Sequence, residues 1–552
     1  MPEKNQAFTM KGNPISPGLA EGIIHLHSGL LGPVDVPVDI EQKNVEEEFS
    51  RLDVATAKIS EDLIVLATKV EIEVDTRLAE VFSAHKQMLN DAALREELRK
   101  EIVDNLVCAS SAVKSVFLRW EKRFLLMESQ MAKEKGDDIR DISIRLRNAL
   151  AGITVHPLEV IPEGCVLVTS RLLPSDTVFL SGRSTAAVLL EFGSIGSHAA
   201  LFARQMGLPC ISGMPDVMTA ARHGALALVD ADIGIVTVNP EEKQKANFRK
   251  KVDDNAHAIR VAQERALNIA VTQDGVAINV LANVGNSEDT EKAMLNGAEG
   301  IGLYRLEQAY IGRSVPPNTD ELVSEMRHTL NVAKGRSVCV RLLDVGADKP
   351  LPFIGFLAET NPSLGRRGIR MLRRYPELLK TQLEAILALV KEFDMQILVP
   401  MVTMPDDVLV VKDALALLCK QRQIASPPTL GAMIETPAAA LSSQEIAKYV
   451  DFMSFGTSDL TQYTFAADRE NAAVERYFND ASEVIFRLLQ LVHHDVPDTP
   501  LSLCGELAGR KEHIPRLLQC GIRTFSVAAP LIPIIKETIR SSPCHSISDL
   551  KC

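Results

Sequence analysis

Hydrophobic positions change their spacing several times along this chain, and each change marks a boundary. From Phe8 to His27 (FTMKGNPISPGLAEGIIHLH) apolar and small residues alternate around Gly and Pro, which predicts short strands and turns. From about Val38 to Ile153, Gly and Pro nearly vanish, Glu, Lys, Leu and Ala dominate, and apolar residues recur at helical spacing. Segments such as VEEEFSRLDVATAKISEDLIVLATKVEIEV and DDIRDISIRLRNALAGI predict several antiparallel helices, set as an insertion into a strand-rich region. Strand-like character returns at CVLVTSRLLPSDTVFL (Cys165 to Leu180) and AAVLLEF (Ala186 to Phe192), and LALVDADIGIVTVNP predicts two closing strands before Pro240. Glu241 to Leu267 is charged and helical, which suits a connecting helix.

Beyond Thr272 short apolar runs recur, each followed by polar residues and a helical segment: INVLANVGN, GIGLYR, CVRLLDVG, ILVPMV, LGAMIET, FMSFGT, LSLCGE and TFSVAA. Eight such strands over ~280 residues is the count and size of a (β/α)₈ barrel. The connection after the third strand is long and carries NPSLGRRGIRMLRR, a loop elaboration or a functional lid. The expected fold class is therefore α/β. An α/β domain is split between 1–35 and 150–240 by a helical domain at 36–149, a linker helix covers 241–266, and a C-terminal TIM barrel covers 267–552.

The length of 552 residues agrees with two to four domains. Sixty Lys and Arg against seventy-two Asp and Glu leave a net charge of -12, which argues against a nucleic-acid binder. No apolar stretch approaches the ~18 residues that span a bilayer, and the first residues, MPEKNQAFTMKGNP, lack an apolar signal-peptide core. Nine cysteines are scattered without a CxxC pair, so neither a zinc ribbon nor a disulfide framework is expected. These features predict a soluble cytoplasmic protein with no membrane insertion.

In such barrels chemistry sits at the C-terminal ends of the strands. Those ends carry Asn283, Arg305, Arg341 with Asp344, Glu435, Ser458 with Asp459, and Cys504 with Glu506; Arg367 lies in the long third loop and Arg469 on the loop after Asp459. Arginines so placed can grip a phosphate or carboxylate through paired hydrogen bonds. Glu435 and Asp459 can offer hard oxygen ligands to Mg²⁺, which uses one or two protein carboxylates plus substrate oxygens. Taken singly, each of these residues could belong to an ordinary ion pair across the barrel mouth; as a set they describe a site for a small phosphorylated carboxylic acid with a divalent metal. In the first half, a strand-like run leads into Gly193, Gly196 and Ser197, His198 follows, and a helix then begins as AALFARQMG and stops at Gly207. A histidine there faces an anion site and suits an imidazole that accepts and donates a phosphoryl group, although a capping or buried histidine fits the same pattern.

These residues resemble a known family over essentially the whole chain: Enzyme I of the bacterial phosphotransferase system, the phosphoenolpyruvate–protein phosphotransferases. SHAALFARQMGLPCISG is similar to the phosphohistidine motif. GAEGIGLYRLE, VRLLDVGADKPLPF, NPSLGRRGIR, GAMIETPAAA, GTSDLTQYTFAADREN and CGELAG are similar, in family order, to the phosphoenolpyruvate and metal blocks. Dikinases and phosphoenolpyruvate synthases share these modules but add a large ATP-binding domain, for which this chain has no room. The resemblance implies that Arg305, Arg341, Arg469, Ser458 and Asp459 bind phosphoenolpyruvate, with Arg367 supporting the substrate or a neighbouring carboxylate. It implies Mg²⁺ on Glu435 and Asp459, phosphorylation of His198, and Cys504 as the proton donor to the pyruvate enolate. It further implies a homodimer formed through the barrel and transfer from His198 to a histidine of the carrier protein HPr, docked on the helical domain. There His85 (FSAHKQML) occupies a family-like position; an ordinary exposed helix residue fits it equally.

The chain departs from the family at several places. Gly193, Ser194, Ile195, Gly196, Ser197 stand where Gly-Gly-Arg-Thr-Ser is usual, Leu173 and Leu342 replace threonines, Ser458 replaces an asparagine, Leu306 a threonine, Gln308 a phenylalanine and Ala347 a glycine. The altered residues near His198 leave a second reading open, a regulatory paralogue that binds phosphoenolpyruvate with little or no turnover.

Overall fold

The chain separates into two units, Met1–Asp253 and Asp254–Cys552. The computed structural model describes residues 7–27, 38–73, 76–125, 130–153, 156–181, 185–193, 198–311, 313–346, 351, 353–354, 359–469 and 474–544.

In the first unit, strands β1 (Phe8–Lys11), β2 (Asn13–Ser16), β3 (Leu19–His27), β4 (Val166–Thr169), β5 (Ala187–Leu190), β6 (Cys210–Ser212), β7 (Leu226–Asp230) and β8 (Ile235–Val238) form one sheet in the order β1-β8-β7-β3-β4-β5-β6-β2. The pairs β3–β4, β4–β5 and β5–β6 are parallel, and β7 and β8 form the antiparallel closing hairpin. Every residue of β4 and β5 is buried, as expected of parallel strands covered on both faces. Between the adjacent strands β3 and β4 the described residues form five α-helices, α1 (Val45–Glu73), α2 (Thr76–Leu89), α3 (Ala92–Asn105), α4 (Ala109–Leu125) and α5 (Gln130–Leu150). Leu52, Ile59, Leu63, Phe82, Ile102, Val113, Ile142 and Leu146 supply their common core. Two acids seal helix starts: the Asp91 carboxylate accepts the Leu94 N–H (3.0 Å), and the Glu48 carboxylate accepts the Ala109 N–H at the first turn of α4 (2.7 Å).

Two expectations fail in this unit. The strand read across Cys165 to Leu180 ends at Thr169, and Pro174–Ser181 forms helix α6. Pro174 supplies the φ of a first helical turn, and the Asp176 carboxylate accepts the Leu173 N–H (2.8 Å), so local capping overrides the apolar run. Of the two readings of His85, the ordinary exposed helix residue does not hold. His85 is fully buried, with Nε2 3.0 Å from an Asp138 oxygen and Nδ1 3.9 Å from Asp141, while Asp141 also accepts the Ser175 N–H (2.9 Å) at the start of α6. Asp138 and Asp141 stand about one turn apart on α5, a spacing that a solvated helix face shows just as well, so the pairing is invisible in the sequence. Helix α7 (His198–Gln205) follows β5, short helix α8 (Val217–Ala220) follows β6, and α9 (Glu242–Glu264) leaves the sheet.

In the second unit, β9 (Ala270–Val271) pairs antiparallel with the start of β10 (Ala277–Val284). The strands β10, β11 (Ile301–Arg305), β12 (Ser337–Arg341), β13 (Asp394–Val399), β14 (Thr429–Ile434), β15 (Phe452–Phe455), β16 (Leu501–Leu503) and β17 (Thr524–Val527) then pair in parallel, each with the next. The β10–β17 pairing closes the ring, so all eight runs read as barrel strands are barrel strands. Leu303, Cys339, Leu398, Met433 and Cys504 pack together from five of the strands or their ends. Lys536, fully buried, donates to the Ala266 and Gly297 carbonyls (both 2.9 Å) and pairs with Glu299 (2.8 Å), which gives its ammonium three oxygen partners. Among the described residues no helix is long and apolar enough to cross a membrane.

Candidate active site

The C-terminal ends of the barrel strands gather the barrel residues singled out from the sequence. Arg305 ends β11, exposed; Arg341 ends β12; Glu435 follows β14; and Cys504 follows β16. Ser458 and Asp459 lie in the first turn of helix Thr457–Phe465, directly after β15, with Ser458 half-buried. The ring is braced at Asn283, whose side chain donates to the Cys504 carbonyl (3.1 Å) and accepts from Ser526 (2.7 Å).

Arg367 is the centre of the electrostatic network. Its Nη2 lies 2.8 Å from an Asp344 oxygen and its Nη1 2.8 Å from an Asp459 oxygen; Nε reaches Asp344 at 3.3 Å and Nη1 also donates to the Tyr463 hydroxyl at 3.1 Å. The guanidinium is buried and each of its nitrogens is engaged by protein, so Arg367 holds carboxylates rather than presenting a free fork. The turn that delivers it needs Gly368: φ there is +55°, and a Cβ would lie 2.8 Å from the Met401 Cβ. Arg469 approaches Asp459 at 3.7 Å.

Arg341 is held by a residue that strand-end position alone does not single out. Glu307, buried just past β11, accepts from Arg341 Nη2 (2.8 Å) and from the Asp344 N–H (2.9 Å), while Asp344 lies 3.4 Å from Arg341 Nη1. In the sequence Glu307 is only the acid two residues after Arg305, and nothing in its spacing announces the pairing. Burial opposes charge on Arg341, but Glu307, Asp344 and Glu435 outweigh it and the guanidinium stays ionised.

Glu435 is almost fully buried and accepts the Met401 N–H. Burial, then the Asp459 and Asp344 charges, push its carboxyl up to about 8, against the pull of Arg367 and Arg341. A buried carboxylate whose charge is opposed by neighbouring acids in this way fits a divalent cation, whose charge relieves the repulsion. Among the described residues no group of three or more His, Cys, Asp or Glu could hold a metal. A pair of acids is nonetheless the donor set Mg²⁺ commonly uses when substrate oxygens complete its shell. The Cys504 thiol is pushed up by burial, so it is a protonated acid near neutral pH; the Ser454 hydrogen bond, Arg341 and Arg305 pull the other way.

His198 opens helix α7 in the first unit; its side chain, and residues 194–197 before it, lie outside the described residues.

Three family models match: "PEP-utilising enzyme, N-terminal" over residues 11–135, "PEP-utilising enzyme, mobile domain" over 161–234 and "PEP-utilising enzyme, PEP-binding domain" over 260–544. The chain is 34% identical over 502 residues to the phosphoenolpyruvate-protein phosphotransferase of Geobacillus stearothermophilus, covering 89% of this chain and 86% of that protein. It is 32% identical over 535 residues to the protein of the same name from Listeria monocytogenes, covering 95% and 93%.

Proposed function

We infer the chemistry of this chain from one premise: it belongs to the phosphoenolpyruvate–protein phosphotransferase family. The chain is a transferase that takes the phosphoryl group of phosphoenolpyruvate onto its own His198 and passes it to a histidine of the carrier HPr, releasing pyruvate, as the first step of the cytoplasmic sugar phosphotransferase system. Arg305, Arg341 and Arg469 hold the substrate phosphate, and Ser458 adds a hydroxyl donor at a helix N-terminus. Glu307 and Asp344 keep Arg341 in place. Arg367 fixes Asp344 and Asp459, so its part is to set the carboxylates rather than to grip substrate. Glu435 and Asp459 would hold Mg²⁺, which when bound neutralises charge developing on the phosphoryl and enolate oxygens.

An imidazole nitrogen of His198 attacks phosphorus as the P–O bond to the enolate breaks, and the Cys504 thiol protonates the enolate carbon. HPr docks on helices α1–α5, and the protein works as a homodimer through its barrel unit. The observation that carries this reading is the convergence of four arginines and the acids Glu435 and Asp459 on one barrel face, in a chain whose curated relatives bear the transferase name. That name also sets the enzyme reading above a binding-only paralogue. A coupled assay with lactate dehydrogenase tests it: a burst of pyruvate close to one per chain is expected from phosphoenolpyruvate and Mg²⁺, and an equal burst from His198→Ala would refute the phosphohistidine route.

A further inference from the structure

Cys504 is 4% exposed and lies against the apolar side chains Leu303, Cys339, Leu398 and Met433. The neighbouring strand β15 supplies its polar contacts. Ser454, 1% exposed, donates its hydroxyl to the sulfur at 3.4 Å, and the thiol donates to the Phe455 carbonyl at 3.5 Å. The Cys504 N–H also donates to that carbonyl (3.1 Å), and β15 and β16 run in register, Ser454 beside Ser502 and Phe455 beside Leu503. The hydroxyl is thus fixed by the sheet itself. The charged and titratable groups facing the sulfur are Arg341, Arg305, Glu435 and Cys339.

We propose that Ser454 is the positioning residue for proton delivery by Cys504: its hydroxyl orients the thiol and stabilises the thiolate left behind. The inference rests on the reading of Cys504 as the acid. In the step, the S–H bond breaks and its electron pair stays on sulfur. The proton adds to the enolate carbon, where the carbon–carbon π pair becomes the new C–H bond, and the enolate oxygen becomes the ketone oxygen of pyruvate. Water later returns a proton to the thiolate. A thiolate in this apolar interior is costly, and a hydroxyl donated to the charged form lowers that cost. Apolar Leu303, Leu398 and Met433 cannot replace the donor.

The test uses the reverse half-reaction, exchange of pyruvate methyl protons with D₂O, followed by proton NMR in the presence of Mg²⁺; it needs Cys504 but not His198. Ser454→Ala is expected to slow exchange about tenfold, ~1.4 kcal/mol, and to move its pH profile to higher pH, with the KM for pyruvate within about twofold of wild type. Ser454→Thr, which keeps the hydroxyl, is expected to restore the profile. Exchange that is lost in Cys504→Ala but unchanged in rate and pH profile in Ser454→Ala overturns the assignment of Ser454 alone. Absence of exchange in wild type, or its survival in Cys504→Ala, overturns the acid role of Cys504 and this inference with it. Should Ser454→Ala unfold, Ser454→Cys fills the same volume with a poorer donor; an intermediate rate is expected, and a wild-type rate overturns the proposal.

Discussion

Replacing Arg367 by Met keeps most of the side chain's length and removes its charge, which leaves Asp344 and Asp459 buried without their shared partner. Breaking a buried ion pair by deleting one member costs about 3–5 kcal/mol, because the remaining charge stays desolvated. Arg341, 3.4 Å from Asp344, and Arg469, 3.7 Å from Asp459, offset part of that cost, so a value of about 3 kcal/mol is expected. For a domain of this size each kcal/mol moves the melting midpoint by roughly 2 °C, so the barrel transition falls by about 6 °C. Differential scanning calorimetry of the full chain reads this directly, with the transition of the first unit unchanged. A barrel shift below about 1 °C would show that the two aspartates do not depend on Arg367, and the network drawn around it would be wrong.

Two further outcomes follow from the same face. Glu435 has a folded pKa of about 8, above the ordinary carboxylate value, so its contribution is fully present below about pH 4.3 and is lost as pH rises through 8. The metal-free barrel should therefore lose stability between those values, on the order of a few kcal/mol, while Glu435→Gln flattens the dependence and Mg²⁺ restores wild type but not the variant; a pH-independent wild-type midpoint contradicts this. Gly368→Ala is expected to destabilise by about 1–3 kcal/mol, since φ is +55° and the new methyl would meet Met401 and Asp344; an unchanged urea midpoint would contradict it.

Much of the architecture was legible because period-2 and period-3.6 patterns change where the fold changes. Eight apolar runs after Thr272 became β10–β17, and the Gly- and Pro-poor segment became α1–α5 between two paired strands. Local capping hid helix α6, since Pro174 and Asp176 overrode an apolar run. At the site, strand-end position identified Arg305, Arg341, Glu435, Asp459 and Cys504 as neighbours, because the barrel brings all strand ends to one face. Pairing was not legible: that Glu307 holds Arg341, that Arg367 bridges two aspartates, and that His85 is buried beside Asp138 all depend on packing between residues distant in sequence. Ser454 was hidden for the same reason, as an inward-facing serine in the run FMSF until β16 is laid beside it.

On the proposed mechanism His198 carries the phosphoryl group taken from phosphoenolpyruvate. Incubation with ³²P-labelled phosphoenolpyruvate and Mg²⁺, followed by acid and alkali treatment of the isolated protein, measures it. The expected result is acid-labile, alkali-stable label in wild type, none in His198→Ala, and loss of the label to HPr when the carrier is added. Label that persists in His198→Ala, or no label in wild type with Mg²⁺ present, would contradict the claim.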